Sequence, residues 1–114
     1  MTARLVPVLF LAAALGACAT GARGPAEPEF VGRTMTVEAR GGQVTTLRFQ
    51  RDGTVTARFN ERETQGRWTL EQRQLCFTWA ANFRECWPHA EPFQQGRTVS
   101  VTSDRGNVVQ VTMR

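Results

Sequence analysis

Residues 47–59 have the sequence LRFQRDGTVTARF, in which two alternating segments flank a turn. On each side of the turn apolar side chains occupy every second position, which is the spacing of a β-strand with one buried face. The dipeptide Asp52-Gly53 suits the positive φ angles of a tight hairpin turn. This stretch therefore predicts an antiparallel hairpin, and its period of two extends through most of the chain.

The same alternation recurs on both sides of this hairpin, with turn signals every eight to twelve residues or so. Before it, Met35 and Val37 alternate with polar residues up to Gly41-Gly42. After it, residues 60–65 are predicted to form a polar connection. The later predicted strands carry their larger side chains at Trp68 and Leu70, at Leu75, Phe77 and Trp79, within 84–87, at Val99 and Val101, and at Val109, Val111 and Met113.

About eight short strands joined by tight turns predict an all-β fold, because tight turns make neighbouring strands antiparallel. We expect an up-and-down meander that forms a small closed or half-open β-barrel, since closure hides the edge strands. A β-sandwich is the competing architecture. The predicted inward residues are mostly large, which favours a filled interior over a ligand cavity. They are Phe49, Phe59, Trp68, Leu70 and Phe77.

The N-terminal residues have the layout of a bacterial lipoprotein signal. Arg4 precedes an apolar run over residues 5–15, and Leu15-Gly16-Ala17-Cys18 places small residues before a cysteine. We predict a signal peptide over residues 1–17 and lipid attachment at Cys18. A transmembrane anchor is the first alternative, but the run is shorter than the ~20 residues that cross a bilayer core. A plain secretory signal with a chance cysteine is the second.

Residues 18–29 are small and rich in Gly and Pro, so they are predicted to be a lipidated flexible tether. A single folded domain is expected over residues 30–114. Because Ala19, and not Asp, follows Cys18, the chain resembles lipoproteins sorted to the outer membrane. The expected location is therefore the bacterial outer membrane, with the domain lipid-anchored and facing the periplasm.

Charge gives little information about a partner. All fourteen basic residues are Arg, and removal of the predicted signal would leave thirteen Arg and ten acidic residues, a net charge of +3. These charges are scattered, whereas a nucleic-acid site concentrates them on one element. We expect no nucleic-acid partner. The expected partners are the membrane, through the lipid, and an envelope protein or an anionic envelope polymer.

Cys76 and Cys86 remain once Cys18 is assigned to the lipid, and an even pair in an exported protein predicts a disulfide. The alternative is a metal site, because Cys86 and His89 lie three residues apart. Zinc normally takes four ligands, or three and a water, and His89 is the only histidine of the chain. We therefore expect neither a metal nor a cofactor.

Aromatic residues and prolines cluster beside this cysteine pair. Trp87 and His89 flank Pro88, which stiffens the segment, so they are the candidate contacts for a protein partner. The alternative is that some rings of this cluster, which comprises Phe83, Trp87, His89 and Phe93, cap one end of the barrel.

No set of residues meets the requirements of a catalytic site, which needs a base paired with a nucleophile or a carboxylate. Ser100 and Ser103 fall in a predicted strand and at its end, while Asp52 and Asp104 fall in turns, where Asp is favoured by backbone hydrogen bonds. The sequence predicts that the protein is not an enzyme.

Several short motifs together resemble a family of small exported proteobacterial proteins that is classed only as a domain of unknown function. They are Phe49 to Thr54, Gly66-Arg67-Trp68, Leu75 to Trp79, and Glu85-Cys86-Trp87. The resemblance covers the chain from Val31-Gly32 to the last hairpin around Gly106. It implies an exported β-protein with one disulfide and no assigned activity, and it transfers no catalytic residue.

The sequence predicts a lipid anchor, a flexible tether and a rigid β-domain. Together these features predict a membrane-anchored envelope lipoprotein that acts as a non-catalytic binding or structural module. The alternative is a small β-barrel inhibitor of a protease, on architectural similarity alone.

Overall fold

A computed structural model of the chain describes residues 27–114. The predicted signal peptide, Cys18 and most of the predicted tether lie outside the described residues. Within them the fold is all-β, as predicted, and the only helical turn is a 3-10 turn at Ala80–Asn82. No helix among these residues is long and apolar enough to span a bilayer.

Eight antiparallel strands form one sheet. They are β1 (Thr34–Ala39), β2 (Val44–Phe49), β3 (Thr54–Phe59), β4 (Arg62–Glu71), β5 (Gln74–Thr78), β6 (Arg84–Pro88), β7 (Thr98–Thr102) and β8 (Val108–Met113). Their order in the sheet is β6-β5-β4-β3-β2-β1-β8-β7, so the meander curls round until β8 pairs with β1. The result is the nearly closed barrel that the sequence predicts.

The predicted hairpin at residues 47–59 pairs β2 with β3, and it places Phe49 opposite Val55. Gly53 has a φ of 94°. This conformation is open to glycine because it has no Cβ, so the Asp-Gly turn forms as expected. Asp52 supports the turn, because its Oδ1 accepts a hydrogen bond from the Thr54 N–H at 3.0 Å.

The β3–β4 region differs from the prediction. Residues 62–65 belong to β4, and the polar connection predicted over 60–65 shortens to Asn60 and Glu61. Asn60 has a φ of 58°, a left-handed conformation that Asn tolerates and that permits the short turn. Beyond Arg67, β4 no longer pairs with β3. Leu70, expected inside, therefore lacks a neighbour on that side and is 40% exposed.

The two edges of the sheet, β6 and β7, meet through the turn between β7 and β8. The Asp104 N–H donates to the Cys86 carbonyl, and Asp104 Oδ1 accepts from the Cys86 N–H, both at 2.9 Å. Arg105 Nε donates to the Arg84 carbonyl at 2.7 Å, and its guanidinium lies 4.3 Å from the centre of the Phe83 ring. The barrel is thus closed at this seam by one backbone hydrogen bond and by the side chains of Asp104 and Arg105.

The interior differs from the filled core that was expected. Strand directions place Met35, Phe49 and Met113 at one end of the barrel, where they are buried. Phe30, from the segment before β1, completes this end, which we call the plugged end. At the opposite end, which we call the open end, the strands enclose a cavity of about 470 Å³.

Candidate binding site

The cavity at the open end, hereafter the cup, is formed by inward side chains from six strands and by the β7–β8 turn. Its volume of about 470 Å³ lies in the range of small-molecule sites. Most of its wall is apolar, and the polar side chains that line it are few, which is the usual composition of a ligand site. The lining includes Val37, Ala39, Thr45, Leu47, Ala57 and Val109.

Small inward side chains explain why the barrel has a cavity at the open end. Ala39 on β1 and Ala57 on β3 line the cup, whereas Met35 on β1 and Val55 on β3 are buried at the plugged end. These two strands therefore carry a smaller inward side chain in the cup than at the plugged end. A cavity results because the backbone positions are fixed by the sheet and cannot move in to fill the space.

One wall of the cup is aromatic. Phe77 and Trp79 on and after β5 stack with ring centres 6.1 Å apart, and Trp87 on β6 meets Phe77 edge-on at 4.8 Å. Gly66 of β4 allows this arrangement. A Cβ built on Gly66 would lie 2.6 Å from a Trp79 ring carbon, so any larger residue would displace the indole.

Besides Thr45, the polar residues Glu85, Asn107 and Arg40 line the cup. Glu85 belongs to β6, and its Oε2 accepts a hydrogen bond from Asn107 Nδ2 at 2.6 Å. Asn107 lies just before β8, and Arg40 is an exposed residue of the β1–β2 turn. The open end therefore presents one fixed carboxylate and one cation to solvent.

The plugged end is packed and hydrogen-bonded by Glu29 and Phe30. These residues were predicted to be the last residue of the tether and the first residue of the domain. Phe30 is completely buried, and its ring centre lies 4.8 Å from that of Phe49 and 5.2 Å from that of Trp68. Glu29 Oε2 accepts the Phe93 N–H at 2.8 Å and lies 2.7 Å from His89 Nε2. These contacts fix the last residues of the predicted tether against the barrel.

The structure confirms the Cys76–Cys86 disulfide, which joins β5 to β6. The two partner-contact candidates are less accessible than the sequence suggested. Trp87 is 6% exposed and belongs to the core, and the His89 side chain is 10% exposed beside Glu29. Their role in partner binding stays a prediction, but neither presents a free aromatic surface. Cys18, the predicted lipid site, lies outside the described residues.

The polar residues weighed as catalytic groups have structural contacts in turns. Ser103 Oγ accepts the backbone N–H groups of Arg105 and Asn107, and Asp104 closes the seam. The pKa of Asp52 is lowered, chiefly because its carboxylate accepts the Thr54 backbone N–H. Among residues 27–114, no three His, Cys, Asp or Glu side chains are grouped as a metal site would require.

Sequence reasoning missed Glu85 as a site residue. The signal was present, because Glu85 precedes Trp87 by two residues on the same strand and must share its inward face. The small residues Ala39 and Ala57 carried no such signal, since their importance depends on lining the same cavity from two different strands.

Comparisons with protein-family models, with curated proteins and with solved structures found no match for the chain. The resemblance to a family of exported proteins therefore stays a prediction.

Proposed function

We propose that the protein is a non-catalytic binding module of the bacterial envelope, anchored by a lipid on Cys18, and that it binds its ligand in the cup. The observation that carries this proposal is the cup itself, an apolar cavity of about 470 Å³ with a polar mouth. Stability alone would favour larger inward side chains here, because they would bury more apolar surface.

The position of the chain's N-terminal segment supports the same proposal. Phe30 enters the barrel at the plugged end, whereas the cup opens at the opposite end. A tether that reaches the domain at the plugged end would hold that end towards the membrane. The mouth of the cup would then face away from the lipid, where a ligand in the periplasm can reach it.

A cup-filling variant tests the binding role directly. The purified domain, residues 19–114, is titrated with the neutral fluorescent dye N-phenyl-1-naphthylamine, and dye emission is followed. Ala57→Leu places three more carbon atoms in the cup, so we expect it to lower dye affinity by about tenfold or more, equivalent to 1.4 kcal/mol. Arg58→Leu, the next residue on β3, is exposed and outside the cup, and it should bind the dye like the unaltered protein.

Two results would contradict the binding role. One is a folded domain that takes up no dye, and the other is equal dye binding by the Ala57→Leu variant. The same preparation, added to a panel of envelope proteases, tests the alternative that the protein inhibits a protease. Inhibition that survives Ala57→Leu would favour that alternative, because the cup would not be the active surface.

The anchor requires its own experiment in cells. Cys18→Ala removes the proposed lipid acceptor, so the variant should stay unprocessed or leave the membrane fraction. Mass spectrometry of the unaltered protein should find acyl chains on Cys18, and fractionation should place it in the outer membrane. A processed, membrane-bound Cys18→Ala variant would show that Cys18 is not the anchor, without bearing on the cup.

A further inference from the structure

Glu85 is an unusual residue for the inner face of a barrel strand. On β6 it lies opposite Phe77 of β5 and two residues before Trp87, so the alternation of the strand turns it towards the cup. It is half-buried. Burying part of a carboxylate beside apolar groups is unfavourable unless a partner compensates. The fold does not require an acid at this position, because an apolar residue would suit the aromatic wall.

Within the described residues, the ion pairs involve other acids. Glu27 pairs with Arg51, Glu63 with Arg58, Glu71 with Arg84, and Glu29 with His89. Glu85 instead receives one neutral hydrogen bond, from the Asn107 amide. That bond holds the carboxylate in place, and no basic side chain of residues 27–114 forms an ion pair with it. The cup therefore contains a preorganised anion.

Three aromatic rings line the same space as Glu85. Phe77, Trp79 and Trp87 all line the cup with Glu85. The faces of aromatic rings attract cations, most strongly for Trp, and this attraction grows when the cation is shielded from water. A carboxylate among aromatic rings is the chemistry by which proteins recognise organic ammonium ions, since the acid supplies charge and the rings replace the weak hydration shell.

Among residues 27–114, Arg40 is the one basic side chain that lines the cup, and its charge opposes a cationic ligand. It is exposed and lies in the turn that contains Gly41 and Gly42, where solvent screens its charge. Glu85 is half-buried and held by Asn107, so its field acts through a medium of lower dielectric constant. The Glu85 charge therefore dominates inside the cup, and Arg40 acts only at its rim.

We propose that the cup binds an organic ammonium ion with a compact apolar body, its positive nitrogen placed against Glu85 and the aromatic wall. This inference rests on the proposed function, because it names the ligand class of the same site. The walls from Leu47, Ala57 and Val109 contact the apolar body.

Three probes of similar size test the ligand class on the purified domain. They are benzyltrimethylammonium, its uncharged isostere neopentylbenzene, and the anion 3-phenylpropanoate. Binding is measured by calorimetry and by the change in intrinsic tryptophan emission, since two of the three Trp residues line the cup. We expect the ammonium ion to bind about tenfold more tightly than the isostere, equivalent to 1.4 kcal/mol, and the anion to bind least.

Two matched variants test whether the Glu85 carboxylate supplies the charge that attracts the ammonium ion. Glu85→Gln keeps the size of the side chain and an oxygen that can accept from Asn107, so it should fold. It should bring the affinity for the ammonium ion down to that for the isostere. Glu38→Gln makes the same change in charge on an exposed residue of β1 outside the cup, and it should leave the preference for the ammonium ion intact.

The outcomes separate the two proposals. Equal binding of the ammonium ion and its isostere to the unaltered protein overturns the ligand class, while the cup remains a binding site. A preference for the ammonium ion that persists in Glu85→Gln overturns the role of Glu85. A folded protein that binds none of the probes, nor the neutral dye, overturns both. The comparison of the three probes needs no variant, so it decides the ligand class even if Glu85→Gln does not fold.

Discussion

The plugged end and the open end of the barrel are built from the same strands, yet only one of them is filled. At the plugged end Phe30, from outside the meander, packs into a cluster with Phe49, Trp68, His89 and Phe93. At the open end no segment of the described chain enters, and Ala39 and Ala57 leave a cavity. The difference shows that eight strands fix the diameter of a barrel, while single residues decide whether its interior is a core or a site.

The polar groups of the two ends differ in the same way. At the plugged end the Glu29 carboxylate has an N–H donor from Phe93 and a contact with His89. At the open end the Glu85 carboxylate has only the Asn107 amide among the described residues. The plugged end is therefore satisfied internally, and the open end keeps capacity for a ligand.

The largest expected effect comes from emptying the plugged end. Phe30→Ala removes a fully buried ring, so we expect a loss of about 3–5 kcal/mol in the free energy of unfolding. Urea unfolding followed by tryptophan emission measures it. Phe59→Ala is the control, because Phe59 is a half-buried ring on the last residue of β3 near the open end, and it should cost about 1–2 kcal/mol. If both variants lost the same free energy of unfolding, the plugged end would not be more tightly packed than the open end.

The disulfide should stabilise the barrel as a whole. Replacing Cys76 and Cys86 together by Ala should lower the free energy of unfolding by about 2–4 kcal/mol, because the bridge restricts the unfolded chain. Unfolding of the variant, compared with the unaltered protein under oxidising conditions, gives the value. Dye binding in the cup should persist wherever the variant is folded. A folded variant that has lost dye binding would show that the bridge shapes the cup.

A smaller effect is expected from the hydrogen bonds that fix the N-terminal segment. Glu29→Ala leaves the Phe93 N–H without its acceptor, and an unsatisfied buried group costs about 1–3 kcal/mol. Glu27→Ala, two residues earlier, removes only an exposed ion pair with Arg51, so its cost should be about 0–1 kcal/mol. Thermal unfolding of both variants measures the difference. A loss for Glu27→Ala as large as that for Glu29→Ala would contradict this account.

The smallest expected effect is on the thermal stability of the protein at acidic pH. Hydrogen bonds hold the pKa of Asp52 below its ordinary value, so its stabilising contribution is present above the unfolded-state pKa and is lost as the pH falls through the folded-state pKa. Asp52→Asn keeps an oxygen for the Thr54 N–H but cannot titrate. Its Tm should therefore fall less steeply than that of the unaltered protein between about pH 5 and pH 2. An unchanged slope would contradict the assignment. Glu38→Gln, at an exposed residue of β1, controls for the change in charge.

Much of the fold follows from the sequence because strands, turns and a disulfide leave local signals. The Asp52-Gly53 turn and the alternation around it predicted the β2–β3 hairpin, since φ preferences and a period of two act over a few residues. The error at residues 62–65 also has a local cause. Residues 62–65 are all polar and exposed, so they lack the alternation of apolar and polar side chains that marks a strand.

The sequence by itself determined the antiparallel meander and the pair of cysteines, because each depends on neighbouring residues or on residue type. Only the tertiary structure decided that Phe30 and Glu29 fill one end of the barrel. It also decided that β4 extends beyond its pairing with β3, which leaves Leu70 exposed. Finally, it decided which side chains line one cavity, among them Ala39, Ala57 and Glu85. These features depend on which side chains reach the same level of a closed sheet from strands far apart in the chain. That level is set by register and closure, and no short stretch of sequence encodes it.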